Sequence, residues 1–397
     1  MPYAMSGIHG CAARAKARKR GDNDLGGTNV RFGLFYEWPN PHLRDWKRLF
    51  EEGLEQIQYS EEMGFDFVLI AEHHFTNYGN SPAPLLQALA IAERTKRLQV
   101  GTAVLVLPIW QPLRLAEEVA VLDNLTGGRV ICGVGRGYQP YEFARFGVTP
   151  EESRGRFNET LEVLVKAWTC DRAFTYHGQY VQIPHELVVW PKPYQKPHPP
   201  FWIAGTSADT MLTAAEWDML PITTGFGGVQ GLRTSLGVLV RRRHELGKPC
   251  ATDFGVQALT MVTDSEEEAA SDLRYARWQL RANRALNRSD VRDGKVHVIP
   301  YEGEHDDATL RELIFYGTPD TVIKKFQRAA AAGVTTVSCW MMLGGIEHEK
   351  VMKSIRLMGE EVIPALKPVR PPEGLYQELL AISVDAASLG STGPVPS

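Results

Sequence analysis

The stretch VRFGLFYEWPNPH, residues 30–42, separates two α/β architectures. A first strand in a dinucleotide-binding, doubly wound sheet runs straight into a glycine-rich turn. Here the apolar run 30–38 passes instead into EWPNPH (37–42), which holds no glycine. Seven further strand-like runs follow it, at 65–74, 98–108, 129–135, 200–205, 220–225, 254–262 and 334–343. With the first they number eight, the count that closes a barrel. Helical patterns lie between them, at 43–64, 84–95, 112–125, 154–168, 208–218, 229–247, 266–286, 320–332 and 350–366. Strands alternating with helices of this length pair in parallel through right-handed crossovers. Several of the strands are apolar on nearly every residue, which suits a sheet covered on both faces. The fold expected is α/β, a (β/α)8 TIM barrel over residues 30–367.

Two segments exceed what a barrel needs. TYHGQYVQIPHELVVWPKPYQKPHPP (175–200) reads as an extra hairpin followed by a proline-stiffened approach to the fifth strand. The insertion before the last strand, 287–320, is too long for a routine connection and is a candidate lid. Residues 1–29, including CAARAKARKR (11–20), lack the apolar centre of a secretory signal and read as a disordered basic tail. Residues 368–397 read as a C-terminal extension, a short docked helix and a loose end.

Composition narrows the function. The chain has 397 residues, 44% hydrophobic and 23% charged, which is a globular balance. A formal net charge of −4 argues against nucleic acid or an acidic membrane surface as a partner. No run approaches the roughly 20 apolar residues of a membrane span. The five cysteines are far apart, without the spacing of a zinc or redox pair, and suit a reducing cytoplasm.

Barrel active sites lie at the carboxyl ends of the strands. The second strand ends Glu72-His73-His74-Phe75. Neighbouring strand residues face opposite ways and cannot converge on one metal ion, and no HxH or HExxH spacing supplies other ligands, so no metal is expected. One imidazole facing the mouth suits proton transfer near neutral pH; the competing reading makes both histidines structural. The fourth strand enters Gly133-Val134-Gly135-Arg136-Gly137, which lacks the third glycine of G-x-G-x-x-G. It allows close approach of a planar ligand with Arg136 offered to a phosphate, or it is a turn. Gly205-Thr206-Ser207 precedes the next helix and suits a phosphate, or it is an ordinary N-cap; Arg154 adds a second cation nearby. Trp110, Tyr138, Trp190 and Trp340 fall near strand ends and are candidates for an apolar substrate wall.

GFDFVLIAEHHFTNYGNSP (64–82), LQVGTAVLVLPIWQPLRLAEEVAVLDNLTGGRVICGVGRGYQPYEFARFG (98–147), FWIAGTSADT, YGTPDTVIKKFQ and VTTVSCWMML together resemble the bacterial luciferase-like flavin-dependent monooxygenases, especially the alkanal monooxygenase branch. The resemblance covers almost all of 30–367. It implies a two-component enzyme that takes reduced FMN (FMNH2) from a separate NAD(P)H:flavin reductase. Through a C4a-peroxyflavin formed with O2, it would oxygenate a small organic substrate. His73 matches the family's catalytic histidine and Glu72 its acidic neighbour. Arg136, Arg154, Gly205, Thr206 and Ser207 match phosphate-binding positions, and Glu142 an acidic residue near the flavin. Ala103-Val104 falls where relatives carry a non-proline cis peptide against the flavin ring. Gly135 stands where the luciferase α subunit has a reactive cysteine. That implies reshaped space beside the flavin and a substrate other than a long-chain aldehyde. The helices 84–95 and 112–125 match a dimer face whose alanine-rich sides permit close approach, as homodimer or heterodimer. The resemblance also admits an F420-dependent dehydrogenase or reductase, or a non-catalytic flavin-binding subunit.

Overall fold

The computed structural model describes residues 30–381. The expected basic tail and the last 16 residues of the chain, 382–397, lie outside them. All eight expected strands form. They are β1 (Arg31–Tyr36), β2 (Phe67–Ile70), β3 (Gln99–Thr102), β4 (Val130–Gly135), β5 (Phe201–Ala204), β6 (Leu220–Thr224), β7 (Gly255–Val262) and β8 (Thr336–Trp340). Each pairs in parallel with the next, and β8 returns to β1 with Gly33 opposite Ser338. The ring is closed, as a (β/α)8 barrel requires.

Side-chain alternation sorts each strand into an inward and an outward set. Phe35, Phe67, Leu69, Ala71, Ile131, Trp202, Leu220 and Ile222 fill the interior. The Arg31 guanidinium lies 5.5 Å from the Phe67 and Trp202 ring centres and closes the lower end. The other set, such as Leu34, Val68, Val100 and Val134, is buried under the helices. Fully burying each such side chain stabilises the fold by about 1.5–3 kcal/mol.

The covering helices are α1 (Trp46–Glu62), α2 (Pro84–Ala92), α3 (Pro112–Leu125), α4 (Ser153–Thr169), α5 (Ala208–Trp217), α6 (Gly228–Glu245), α7 (Glu266–Asn287), α8 (Pro319–Ala331) and α9 (His348–Leu357). Proline at the first position starts α2, α3 and α8, where its missing N–H is no loss. Ser265 caps α7 by accepting from the Glu268 N–H. Of the alanines of α2 and α3, Ala88, Ala116 and Ala120 are fully buried against the barrel, and Ala90 is half-buried.

The run 98–108 is not one strand. It breaks after Thr102 and resumes as Leu105–Val106, beside the far end of β4. The expected hairpin forms from Phe174–His177 and Gln182–Leu187, its turn held by Glu159 of α4. The insertion after α7 contains a small ladder, Val291–Arg292 with Lys295–Val296, and a helix, Asp307–Leu313. A three-residue strand, Phe315–Gly317, then pairs with β7 outside the ring. The helix expected beyond 368 is Leu375–Ala381, docked on α6 through buried Leu375 and Leu379. Among the described residues no helix is long and apolar enough to cross a membrane.

Candidate active site

Inward parity on β2 runs Phe67, Leu69, Ala71 and continues to His73 just above the strand. The imidazole is buried, and its Nδ1 lies 3.0 Å from Oε1 of Glu142, on the short helix Pro140–Arg145 that follows β4. The same oxygen accepts the His74 backbone N–H at 2.9 Å. A carboxylate oxygen taking two N–H donors fixes the ring and keeps the proton on Nδ1. Burial alone would lower the His73 pKa. The charge and hydrogen bond of Glu142, then the charges of Glu37 and Glu72, outweigh it and raise the value.

The other ring nitrogen, Nε2, lies 3.6 Å from Oε2 of Glu37, which directly follows β1 and is 1% exposed. The Gln279 side-chain amide of α7 donates to the opposite oxygen of Glu37. Burial pushes the Glu37 carboxyl up to about 8, against the lowering effects of His73 and the Tyr78 hydroxyl. Tyr78 stands edge-on to the His73 ring at 4.8 Å. Asn283, one helical turn beyond Gln279, donates to the Tyr78 hydroxyl at 3.1 Å and the Tyr138 hydroxyl at 2.9 Å.

The Glu72 side chain turns to the other face of the strand, and only its charge reaches His73. Its carboxylate accepts the Val106 N–H at 2.6 Å and the Trp110 indole N–H at 3.0 Å, and meets His74 Nε2 at 3.1 Å. It ties the broken third strand to β2. His74 packs against Phe146 at 4.7 Å, which is a structural role.

Between β3 and β4 the Ala103–Val104 peptide is cis, as the resemblance implied. Thr102 and Gly133 exchange hydrogen bonds of 2.7 and 3.1 Å beside it. A Cβ on Gly133 would come within 1.6 Å of the Thr102 carbonyl oxygen, so only glycine fits. The space expected at Gly135 is filled: a Cβ there would meet Val104 Cγ2 at 2.5 Å. At the neighbouring strand end, Gly205 has φ of +157°, and Ser207 caps α5 through the Thr210 N–H. Arg154, exposed at the start of α4, is paired with Asp209 in the first turn of α5, so α4 brings a cation to this loop. Arg136 is exposed just beyond β4, and Thr206 is half-buried.

Of the four aromatic candidates, Tyr138 and Trp340 reach the mouth. Trp340 ends β8, meets Phe35 edge-on at 5.1 Å, and has a buried indole N–H without a hydrogen-bond partner among the described residues. Trp110 is committed to Glu72, and Trp190 is 65% exposed, in the segment that leads to β5. Glu37, Tyr78, Gln279 and Asn283 carried no part in the sequence reading. Inward parity, 33, 35, 37 along β1, is the signal that points to Glu37. The two α7 residues sit 145 to 242 positions from their partners and leave no local signal.

Comparison with known proteins agrees with this geometry. Residues 30–336 match the family model of the luciferase-like monooxygenases. The uncharacterized protein y4vJ of Sinorhizobium fredii is 34% identical over 79% of this chain and 91% of its own length. The oxygenase component of the flavin-dependent trigonelline monooxygenase of Acinetobacter baylyi is 25% identical over 85% and 95%. The oxygenating constituent of 3,6-diketocamphane monooxygenase from Pseudomonas putida, solved with FMN, superposes with a TM-score of 0.72. It is 20% identical, covering 87% of this chain and all of its own.

Proposed function

Because this chain belongs to the luciferase-like monooxygenase family, we propose that it is the oxygenase of a two-component system. It takes reduced FMN from a separate NAD(P)H:flavin reductase and uses O2 to place one oxygen atom in a small organic substrate. The observation that carries this reading is a buried imidazole fixed through Nδ1 by Glu142, with Nε2 left for chemistry, on the strand next to the Ala103–Val104 peptide.

The residues present suit the cofactor. The backbone at Gly205 and the start of α5, with Thr206, Ser207, Arg154 and Arg136, would hold the phosphate. Ala103, Val104 and Gly135 form a flat wall for the ring, and the unpartnered Trp340 N–H opposite can donate to a polar edge. When bound, reduced FMN supplies the electrons that activate O2. His73 gives or takes a proton at Nε2 where negative charge develops on a substrate oxygen. Segment 287–320 lies against the β2 loop and keeps water from that centre. Leu86, Val121 and Leu125 form the outward stripe of α2 and α3 and pair the chain with a second copy.

Anaerobic titration with reduced FMN, followed by rapid mixing with air and a substrate panel, tests this. Tight binding and oxygenated product are expected, with His73→Ala slowing turnover by about 100-fold or more. Binding of a deazaflavin in place of FMN, shown by its blue-shifted absorbance and inertness to O2, would overturn it.

A further inference from the structure

We propose that Glu37 is the proton-holding partner of His73: its carboxyl faces the ring nitrogen that Glu142 leaves unused and resupplies the proton that Nε2 gives up. This rests on the catalytic reading of His73 above and adds a residue to it.

The geometry assigns each oxygen of Glu37 a separate task. Oε1 is engaged by the Gln279 amide. That amide cannot flip, because its own carbonyl oxygen accepts the Gly344 N–H at 3.2 Å. The remaining oxygen, Oε2, is left facing Nε2 across 3.6 Å. That gap is longer than an N···O hydrogen bond, so no proton passes between the two until a small ring movement closes the distance. The groups facing Glu37 are His73 and Tyr78 from the β2 loop, Glu142 from the short helix, Tyr138 beyond β4, and Gln279 from α7. None is a lysine or arginine. The Glu142 carboxylate already holds His73 through Nδ1, and no other cation faces Glu37, so Glu37 rests as the neutral acid, in keeping with its raised pKa.

The proton accounting closes. The site begins with imidazolium, Glu142 carboxylate and neutral Glu37. The Nε2–H bond breaks as its proton passes to a substrate oxygen. The Glu37 O–H bond then breaks and Nε2–H forms again, leaving Glu37 as carboxylate beside the imidazolium. Water readmitted on product release returns one proton to Glu37. Glu37 needs no contact with substrate and acts through His73, as a positioning residue for its proton.

The test is a pH titration of the His73 side chain by NMR in the cofactor-free full chain with labelled histidine, assigned by loss of the signal in His73→Ala. The wild-type signal is expected to move in two steps, one belonging to Glu37 near pH 8, and Glu37→Gln should leave a single step. In the loaded enzyme Glu37→Gln should lower kcat at pH 7 by about 100-fold, the lower range for a positioned acid, with KM for reduced FMN within about twofold. Glu37→Asp should recover part of the loss. A single-step wild-type titration, or wild-type kcat in Glu37→Gln, overturns the role of Glu37. Wild-type turnover in His73→Ala overturns the reading beneath it, so the two failures are separable.

Discussion

At the scale of the residue, buried charge makes this site costly to fold, and the cost depends on pH. Glu37 has an ordinary value of 4.5 raised to about 8 by burial. Between those values the folded chain holds a proton that the unfolded chain has released, so stability falls as pH rises. His73, also raised, stabilises fully below its unfolded value near 6.5 and loses that contribution as pH rises through its folded value. Both groups therefore weaken the fold on the alkaline side. Glu37→Gln should melt close to wild type at pH 4 and several degrees higher at pH 9, a gain on the order of a few kcal/mol. A gap that does not widen with rising pH would show that folding does not raise the Glu37 pKa. Gly135→Ala should act oppositely, losing about 1–3 kcal/mol in urea unfolding because its methyl meets Val104. The reason His73 could be read and Glu37 could not is visible here. His73 sits in a motif of four chemically loaded residues, whereas Glu37 is a single acid closing an apolar run, distinguished by parity alone. Adjacency in sequence placed Glu72 beside His73, while the strand turned its side chain to the other face.

At the scale of the element, apolar runs marked all eight strands, and the prolines opening α2, α3 and α8 marked helix starts to within a residue or two. What escaped was local. The break in the third strand depends on Glu72 seizing the Val106 N–H, and the strand Phe315–Gly317 is too short to show a pattern. The insertion is clipped to its surroundings at two points. Asn77 accepts the Val296 N–H through its side chain and donates its own N–H to the Gly294 carbonyl. Glu304, nearly buried, pairs with Arg277 and Arg281 of α7. Neutralising Glu304 leaves Arg281 without this partner, while Arg277 keeps Asp307. Glu304→Gln should accelerate amide exchange across 288–306 by about 10-fold or more while leaving β1 to β8 protected. If the segment excludes water from the proposed reaction, the same variant should release more H2O2 per NAD(P)H consumed. Unchanged exchange would locate the anchor at Asn77 instead.

At the scale of the whole molecule, closure of the ring was legible from a count of eight strands, but the outer surface was not. The alanines of α2 and α3 suggested an interface, yet helix periodicity turns Ala88, Ala116 and Ala120 toward the barrel, and the stripe left outside is Leu86, 71% exposed, Val121 and Leu125, 61% exposed. Tyr194, also exposed, lies over Gly128 just beyond the carboxyl end of α3 and extends the same apolar surface. Large apolar side chains left exposed on one pair of helices are the kind of surface that a partner covers. Pairing through it would bury the stripe on both copies by one self-complementary contact. Leu86→Glu with Leu125→Glu places like charges opposite one another across such an axis, so sedimentation should shift from two chains to one. Neither leucine is among the residues proposed to hold the cofactor, and reduced FMN should therefore bind the double variant within about twofold of wild type. Loss of FMN binding together with the dimer would mean that the second copy completes the site. An unshifted sedimentation value would place the interface on another face of the barrel.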